Sequence, residues 1–188
     1  CNTATSAAIR ILRKKYQAQM PVIGIEPALK PAVSVKKNPR VIVMATPMTI
    51  REEKFQKLLK LFTSRAQIIS LPCPGLVEFV ERGELESEAL DDFLSALFAP
   101  YKDEPIDAVV LGCTHYPLIR ESIQKSLGSG VAVFDGGAGT ARETLRKLKE
   151  YQILSDSTER GTVVFENSTG DERMIELSRY LLERNLKH

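Results

Sequence analysis

Two cysteines in this chain stand where a thiol could move protons. Cys113 lies in Gly112-Cys113-Thr114-His115-Tyr116-Pro117, just after the apolar run Ala108–Leu111, and Cys1 opens Cys1-Asn2-Thr3, just before a helical pattern. Thiol and thiolate interchange near neutral pH once the local field is tuned, so cysteine can serve as a general acid or base. Two such groups on opposite faces of an α-carbon could remove its proton on one side and return one on the other. Asn and Thr side chains beside each thiol could hold the carboxylate and ammonium of an amino acid. Pro117 suits the first turn of a helix. Cys113 is then expected beside a helix N-terminus, whose unpaired N–H groups would lower its pKa. A strand-end cysteine is equally often plain core, and His115 could simply satisfy a backbone carbonyl. Residue types leave both readings open, and they do not say whether Cys1 and Cys113 face each other.

The elements that must position these residues read as α/β. Strands are expected at Val22–Ile25, Val41–Met44, Gln67–Ser70, Ala108–Leu111, Val131–Phe134 and Val163–Glu166, most of them short, nearly continuous apolar runs suited to a parallel sheet covered on both faces. Helical patterns lie between them at Ala4–Tyr16, Arg51–Ser64, Ser87–Ala99, Pro117–Leu127, Thr140–Tyr151 and Asp171–Leu182. The alternation predicts parallel strands joined by right-handed crossovers, with ligands outside the strands' carboxyl ends. Cys73, between Pro72 and Pro74, also follows a strand, but no hydroxyl pair follows it; it reads as structural. Asp135-Gly136-Gly137 lacks the spacing of a phosphate loop and reads as a backbone turn.

Composition narrows the function classes. With 26 Lys and Arg against 24 Asp and Glu, the net charge of +2 gives no reason to invoke nucleic acid or an anionic membrane as a partner. No apolar run reaches bilayer length and no signal peptide is visible. Three scattered cysteines fit neither a disulfide framework nor a zinc spacing, so reduced thiols in a cytoplasmic protein are expected. The only histidines are His115 and His188, which argues against a histidine-rich metal site.

Four segments, in order, carry a resemblance. Cys1-Asn2-Thr3-Ala4, Gly24-Ile25-Glu26-Pro27-Ala28, Ala45-Thr46-Pro47-Met48-Thr49 and Gly112-Cys113-Thr114-His115-Tyr116-Pro117-Leu118-Ile119 resemble bacterial glutamate racemases, within the aspartate/glutamate racemase superfamily. The resemblance implies a cofactor-independent, metal-free enzyme that interconverts L- and D-glutamate, supplying D-glutamate for peptidoglycan, and that forms a homodimer. Its fold would be two similar α/β domains with the substrate in the cleft between them. Cys1 and Cys113 would be the two catalytic acid/bases, with His115 assisting its neighbouring thiol. Asn2, Thr3, Thr46, Thr49, Thr114 and His115 would contact substrate. Glu81, in Val80-Glu81-Arg82-Gly83, matches a glutamate that supports the histidine, and is equally readable as a solvated carboxylate at a helix end. Thr46 and Thr49 are equally readable as turn and cap residues. Met48 departs from the glycine that many relatives carry.

The same resemblance predicts a segment with Asp-Ser-Gly and Tyr-Gly motifs ahead of Cys1, which this chain does not contain. Residues 26–134 would then form a complete second domain, with 1–25 and 135–188 belonging to an incomplete first one. The 188-residue chain by itself would have little or no activity. Two alternatives remain at this level: an aspartate or hydantoin racemase of the same superfamily, and a non-catalytic amino-acid-binding protein.

Overall fold

A strand needs a neighbour for its backbone groups, and four of the six expected strands find one. The computed structural model describes residues 1–159 and 161–185. Its one sheet there is four-stranded and parallel, ordered β2-β1-β3-β4, from β1 (Arg40–Ala45), β2 (Gln67–Pro72), β3 (Ala108–Leu111) and β4 (Ala132–Asp135). The fold class is therefore α/β, as the alternation of patterns predicts.

Two expected strands are corrected. Val22–Ile25 and Val163–Glu166 join no sheet among the described residues. Their residues are apolar and β-branched, but strand structure depends on a paired neighbour, and neither segment has one here. Helix α1 (Asn2–Tyr16) engages the first segment instead: the Thr5 hydroxyl accepts from the Ile25 N–H at 3.1 Å, and Arg13 Nε donates to the Val22 carbonyl at 3.2 Å. Val163 and Val164 stay exposed. Among the described residues, neither 1–25 nor 136–185 contribute a strand. His188 lies outside the described residues.

Side-chain alternation divides the core in two. Along β1, Val41, Val43 and Ala45 face one side of the sheet and Ile42 and Met44 the other; along β3, Ala108 and Val110 oppose Val109 and Leu111. The first side is covered by α2 (Leu29–Ala32) and α4 (Glu53–Lys60), which insert Leu29, Phe55 and Leu59. The second is covered by α5 (Leu76–Glu81), α6 (Glu88–Phe98) and α7 (Arg120–Leu127), through Leu76, Leu90, Leu94, Phe98 and Ile123. Each fully buried side chain of this size contributes about 1.5–3 kcal/mol, so this two-sided packing is what holds the strand ends in place.

Local chemistry sets several element ends differently from the apolar spacing. Helix α1 begins at Asn2, two residues before the expected Ala4, so Asn2 and Thr3 lie in its first turn and Cys1 caps it. The expected helix Arg51–Ser64 is interrupted at Glu52, which is extended (φ −66°, ψ 129°). A short α3 (Pro47–Arg51) precedes that break, capped where the Thr49 N–H donates to the Thr46 hydroxyl at 3.2 Å. Ser87 caps α6 through the Leu90 N–H in the same way. The expected helix from Pro117 begins as a 3-10 turn, Tyr116–Ile119, and becomes α-helical only at Arg120. Helices α8 (Gly137–Glu150) and α9 (Glu172–Asn185) lie close to their expected places. No helix among the described residues is long and apolar enough to cross a membrane.

Candidate functional site

The strand order reverses direction between β1 and β3. From β1 the chain crosses over the α4 side to β2; from β3 it crosses over the α7 side to β4, on the other edge. The loops leaving β1 and β3 therefore diverge to opposite faces, and such a switch point opens a crevice at the carboxyl ends of the strands. Thr46 and Thr49 follow β1 and Cys113, Thr114 and His115 follow β3, so both motif loops border that crevice.

The Cys113 loop is held tightly. The Gly112 N–H donates to the Met44 carbonyl at 2.7 Å, prolonging the β1–β3 ladder by one bond. A Cβ on Gly112 would lie 2.5 Å from that same oxygen, so only glycine fits this close approach. The Tyr116 N–H then donates to the Cys113 carbonyl at 3.2 Å, and the fully buried Tyr116 ring anchors the turn in the core. Cys113 itself is left 8% exposed.

Around the thiol, three side chains form a line. Cys113 Sγ lies 3.7 Å from His115 Nδ1, and His115 Nε2 lies 3.3 Å from Glu81 Oε1, at the last residue of α5. The carboxylate of Glu81 thus stands beside one imidazole nitrogen and the Cys113 thiol beside the other. The expected lowering of the Cys113 pKa is corrected. Burial pushes the thiol up, and it outweighs the backbone N–H groups of His115 and Thr114, which act in the opposite direction. The physical reason is that the thiol stands inside the strand-end packing, and the chain after it makes a 3-10 turn rather than an α-helical N-terminus.

The first turn of α1 meets both loops. Asn2, 6% exposed, donates from Nδ2 to the Gly112 carbonyl at 2.7 Å, while its Oδ1 is buried without a partner. Thr3 Oγ1 lies 2.8 Å from Thr49 Oγ1, which lies 3.0 Å from Thr46 Oγ1, a chain of three hydroxyls from α1 to the cap of α3. Cys1 is exposed, and its side chain makes no capping bond.

A cavity of about 490 Å³ opens at the crevice, lined by Asn2, Cys113 and Thr114 and, opposite them, by Arg120, Asp135 and Arg184. Arg120 pairs with Asp135 and donates to the Val133 carbonyl at 2.9 Å; Arg184, from α9, pairs with Glu86. Of the expected site residues, the structure brings Cys113, His115 and Glu81 into one array and Thr3, Thr46 and Thr49 into another, joined through Asn2. Thr114 is exposed on the cavity wall. Cys1, Thr3, Thr46, Thr49, His115 and Glu81 do not line the cavity. Asp135 reads from the sequence only as part of a backbone turn, and Arg120 and Arg184 carry no local signal at all. Cys73 donates to the Leu71 carbonyl at 3.3 Å and is 2% exposed, which agrees with a structural role. Among the described residues, no three His, Cys, Asp or Glu side chains converge as metal ligands would.

Comparison with known proteins adds an independent line. A family profile described as Asp/Glu/Hydantoin racemase matches residues 1–144. A glutamate racemase of Clostridium botulinum is 47% identical over 97% of this chain and 70% of its own length, and one of Clostridium kluyveri is 48% identical over 97% and 71%. Among solved structures, Escherichia coli glutamate racemase in complex with L-glutamate and the activator UDP-MurNAc-ala superposes with a TM-score of 0.80 at 30% identity, over 96% of this chain and 68% of that one. Glutamate racemase of Francisella tularensis in complex with D-glutamate gives 0.69 at 28% identity, over 84% and 58%.

Proposed function

The chain belongs to the Asp/Glu/Hydantoin racemase family, and from that premise we propose that it interconverts L- and D-glutamate by passing the α-proton between the thiols of Cys1 and Cys113. The observation that carries the mechanism is the line Glu81–His115–Cys113 at the β1/β3 crevice, beside the cavity bounded by Asn2 and Thr114. The substrate's identity is supported by the relatives, which are glutamate racemases at 47–48% identity.

In the tautomer that carries its proton on Nε2, beside Glu81, His115 presents Nδ1 to the Cys113 thiol and takes its proton, leaving a thiolate. A thiolate whose burial disfavours charge is a stronger base than a solvated one, and the α-proton of an amino acid is a very weak acid. Cys113 removes that proton from one face and Cys1, protonated, returns one to the other; the opposite enantiomer uses them in reverse. Asn2, Thr3, Thr46, Thr49 and Thr114 supply the polar groups for the substrate. The substrate lies between residues 26–134 and the segments 1–25 and 135–188, which form separate domains of a homodimeric cytoplasmic enzyme feeding peptidoglycan synthesis.

The test follows L-glutamate in deuterium oxide, reading loss of the α-proton by NMR and appearance of D-glutamate by chiral chromatography. From the 188-residue chain both are expected only at a low rate, and Cys1→Ser and Cys113→Ser should each nearly abolish the inversion that remains. Inversion at the unaltered rate in both variants overturns the two-thiol mechanism. Since the family also covers aspartate and hydantoins, the same assay with those substrates decides between relatives.

A further inference from the structure

Asn2 stands next to Cys1 in the chain, and Gly112 stands next to Cys113. The bond from Asn2 Nδ2 to the Gly112 carbonyl, 2.7 Å long and buried, therefore joins the two thiol-bearing segments across 110 residues of sequence. Each cysteine is a single Cα step, about 3.8 Å, from one end of it. The Gly112 end cannot yield, because its N–H is bonded to Met44 and its α-carbon is pressed against the Met44 carbonyl. Nor can the carboxamide turn over: Gly112 offers only an acceptor, so Nδ2 must face it, and Oδ1 remains buried without a partner. The Thr3–Thr49 contact ties the same helical turn to α3, but not to the Cys113 loop.

We propose that Asn2 is the positioning residue of the two-thiol site: its bond to Gly112 sets the separation of Cys1 and Cys113, and so decides whether a proton removed from one face of the substrate is replaced from the other. This rests on the two-thiol reading above. Inversion needs both sulfurs within reach of one α-carbon, whereas removal needs only one. Once a thiolate has taken the α-proton, the carbanion has two ways back. The opposite thiol can protonate it, which inverts the centre. Alternatively the first thiol, after exchanging its hydrogen with solvent, can return a deuteron to the original face, which labels the substrate with retention. An error of about 1 Å in such an arrangement costs roughly a hundredfold, and it falls on the first route alone.

The experiment compares unaltered chain, Asn2→Ala and Asn2→Asp on L-glutamate in deuterium oxide, measuring α-deuteration with retention against inversion. Asn2→Asp keeps the shape but sets a carboxylate oxygen against the Gly112 carbonyl. In both variants the ratio of retention to inversion should rise by about tenfold or more. That ratio is read only on molecules that turn over, so partial unfolding does not affect it. An unchanged ratio overturns the proposal, as does equal loss of both routes. If the 188-residue chain, whose turnover is expected to be low, neither exchanges nor inverts glutamate, spacing is read directly. Bis-maleimides of graded length are then used to bridge Cys1 and Cys113 in a Cys73→Ala background, with mass spectrometry identifying the bridge. A single preferred length that is lost in Asn2→Ala supports the strut; the same preference in both, or no bridge at any length, overturns it.

Discussion

Cys73 and Cys113 occupy like positions and have unlike surroundings. Each follows the carboxyl end of a parallel strand and each is buried. Cys73 leaves β2 at the sheet's edge, next to Pro72 and Pro74, and gives its proton to the Leu71 carbonyl. Burial pushes its pKa up to about 12, so it stays a thiol at any physiological pH. Cys113 leaves β3 beside the central strand β1, where the crevice opens, and it faces a histidine nitrogen backed by a carboxylate. Burial raises its pKa too, but His115 Nδ1 lies 3.7 Å from its sulfur. Two strand-end thiols of like burial therefore differ in what they face, a backbone carbonyl for Cys73 and the switch-point crevice with an imidazole for Cys113.

The widest separation between the two should be in turnover. Cys113→Ser is expected to lower glutamate inversion by about 10²–10⁴-fold, the usual worth of a positioned general acid/base. Cys73→Ala should leave it within about twofold by the same reasoning, since Cys73 transfers no proton. A comparable loss in both, measured as D-glutamate formed, would erase the distinction.

Stability at alkaline pH comes next. The folded Cys73 pKa lies above the unfolded thiol's, about 12 against 9.0. Its contribution is fully present below pH 9 and is lost as pH rises toward 12, because the unfolded chain ionises first. The difference corresponds to about 4 kcal/mol. Urea unfolding of the intact chain should show that decline between pH 9 and its alkaline limit, and Cys73→Ala should flatten it. Cys113 follows the same sign, so its alkylation by iodoacetamide should rise at higher pH than that of a free cysteine.

Smaller effects test the scaffold of the Cys113 loop. Gly112→Ala forces a Cβ against the Met44 carbonyl and should cost about 1–3 kcal/mol in thermal unfolding. An unshifted melting temperature would mean that the β1–β3 approach is looser than its 2.7 Å bond indicates. Glu81→Gln removes a half-exposed partner of His115, and pairs of that kind contribute up to about 1 kcal/mol. The expected result is a loss of at most about fivefold in inversion, with a changed pH–rate profile. A hundredfold loss would instead make Glu81 part of the proton path.

Much of the site was legible because its signals are local. Gly-Cys-Thr-His-Tyr-Pro after an apolar run places a thiol and an imidazole at a strand end by spacing alone, and Thr46 before Pro47 reads as a cap. Arg120, Asp135 and Arg184 meet across one cavity from three separate elements, and nothing in the spacing of the chain links them. The misread strands have a related cause. Val22–Ile25 and Val163–Glu166 have strand composition, but pairing is a property of neighbours, and composition carries no record of who the neighbour is.

What the sequence alone determined, then, is the α/β alternation, the alternating strand faces of the core, and the residue types at the strand ends, since these depend on neighbours within a few positions. Only the tertiary structure decided the strand order β2-β1-β3-β4 and the crevice it opens, the raised rather than lowered Cys113 pKa, and the Asn2–Gly112 bond. Crossover order, burial and a contact across 110 residues are set by packing the whole chain at once, and no local window of residues contains them.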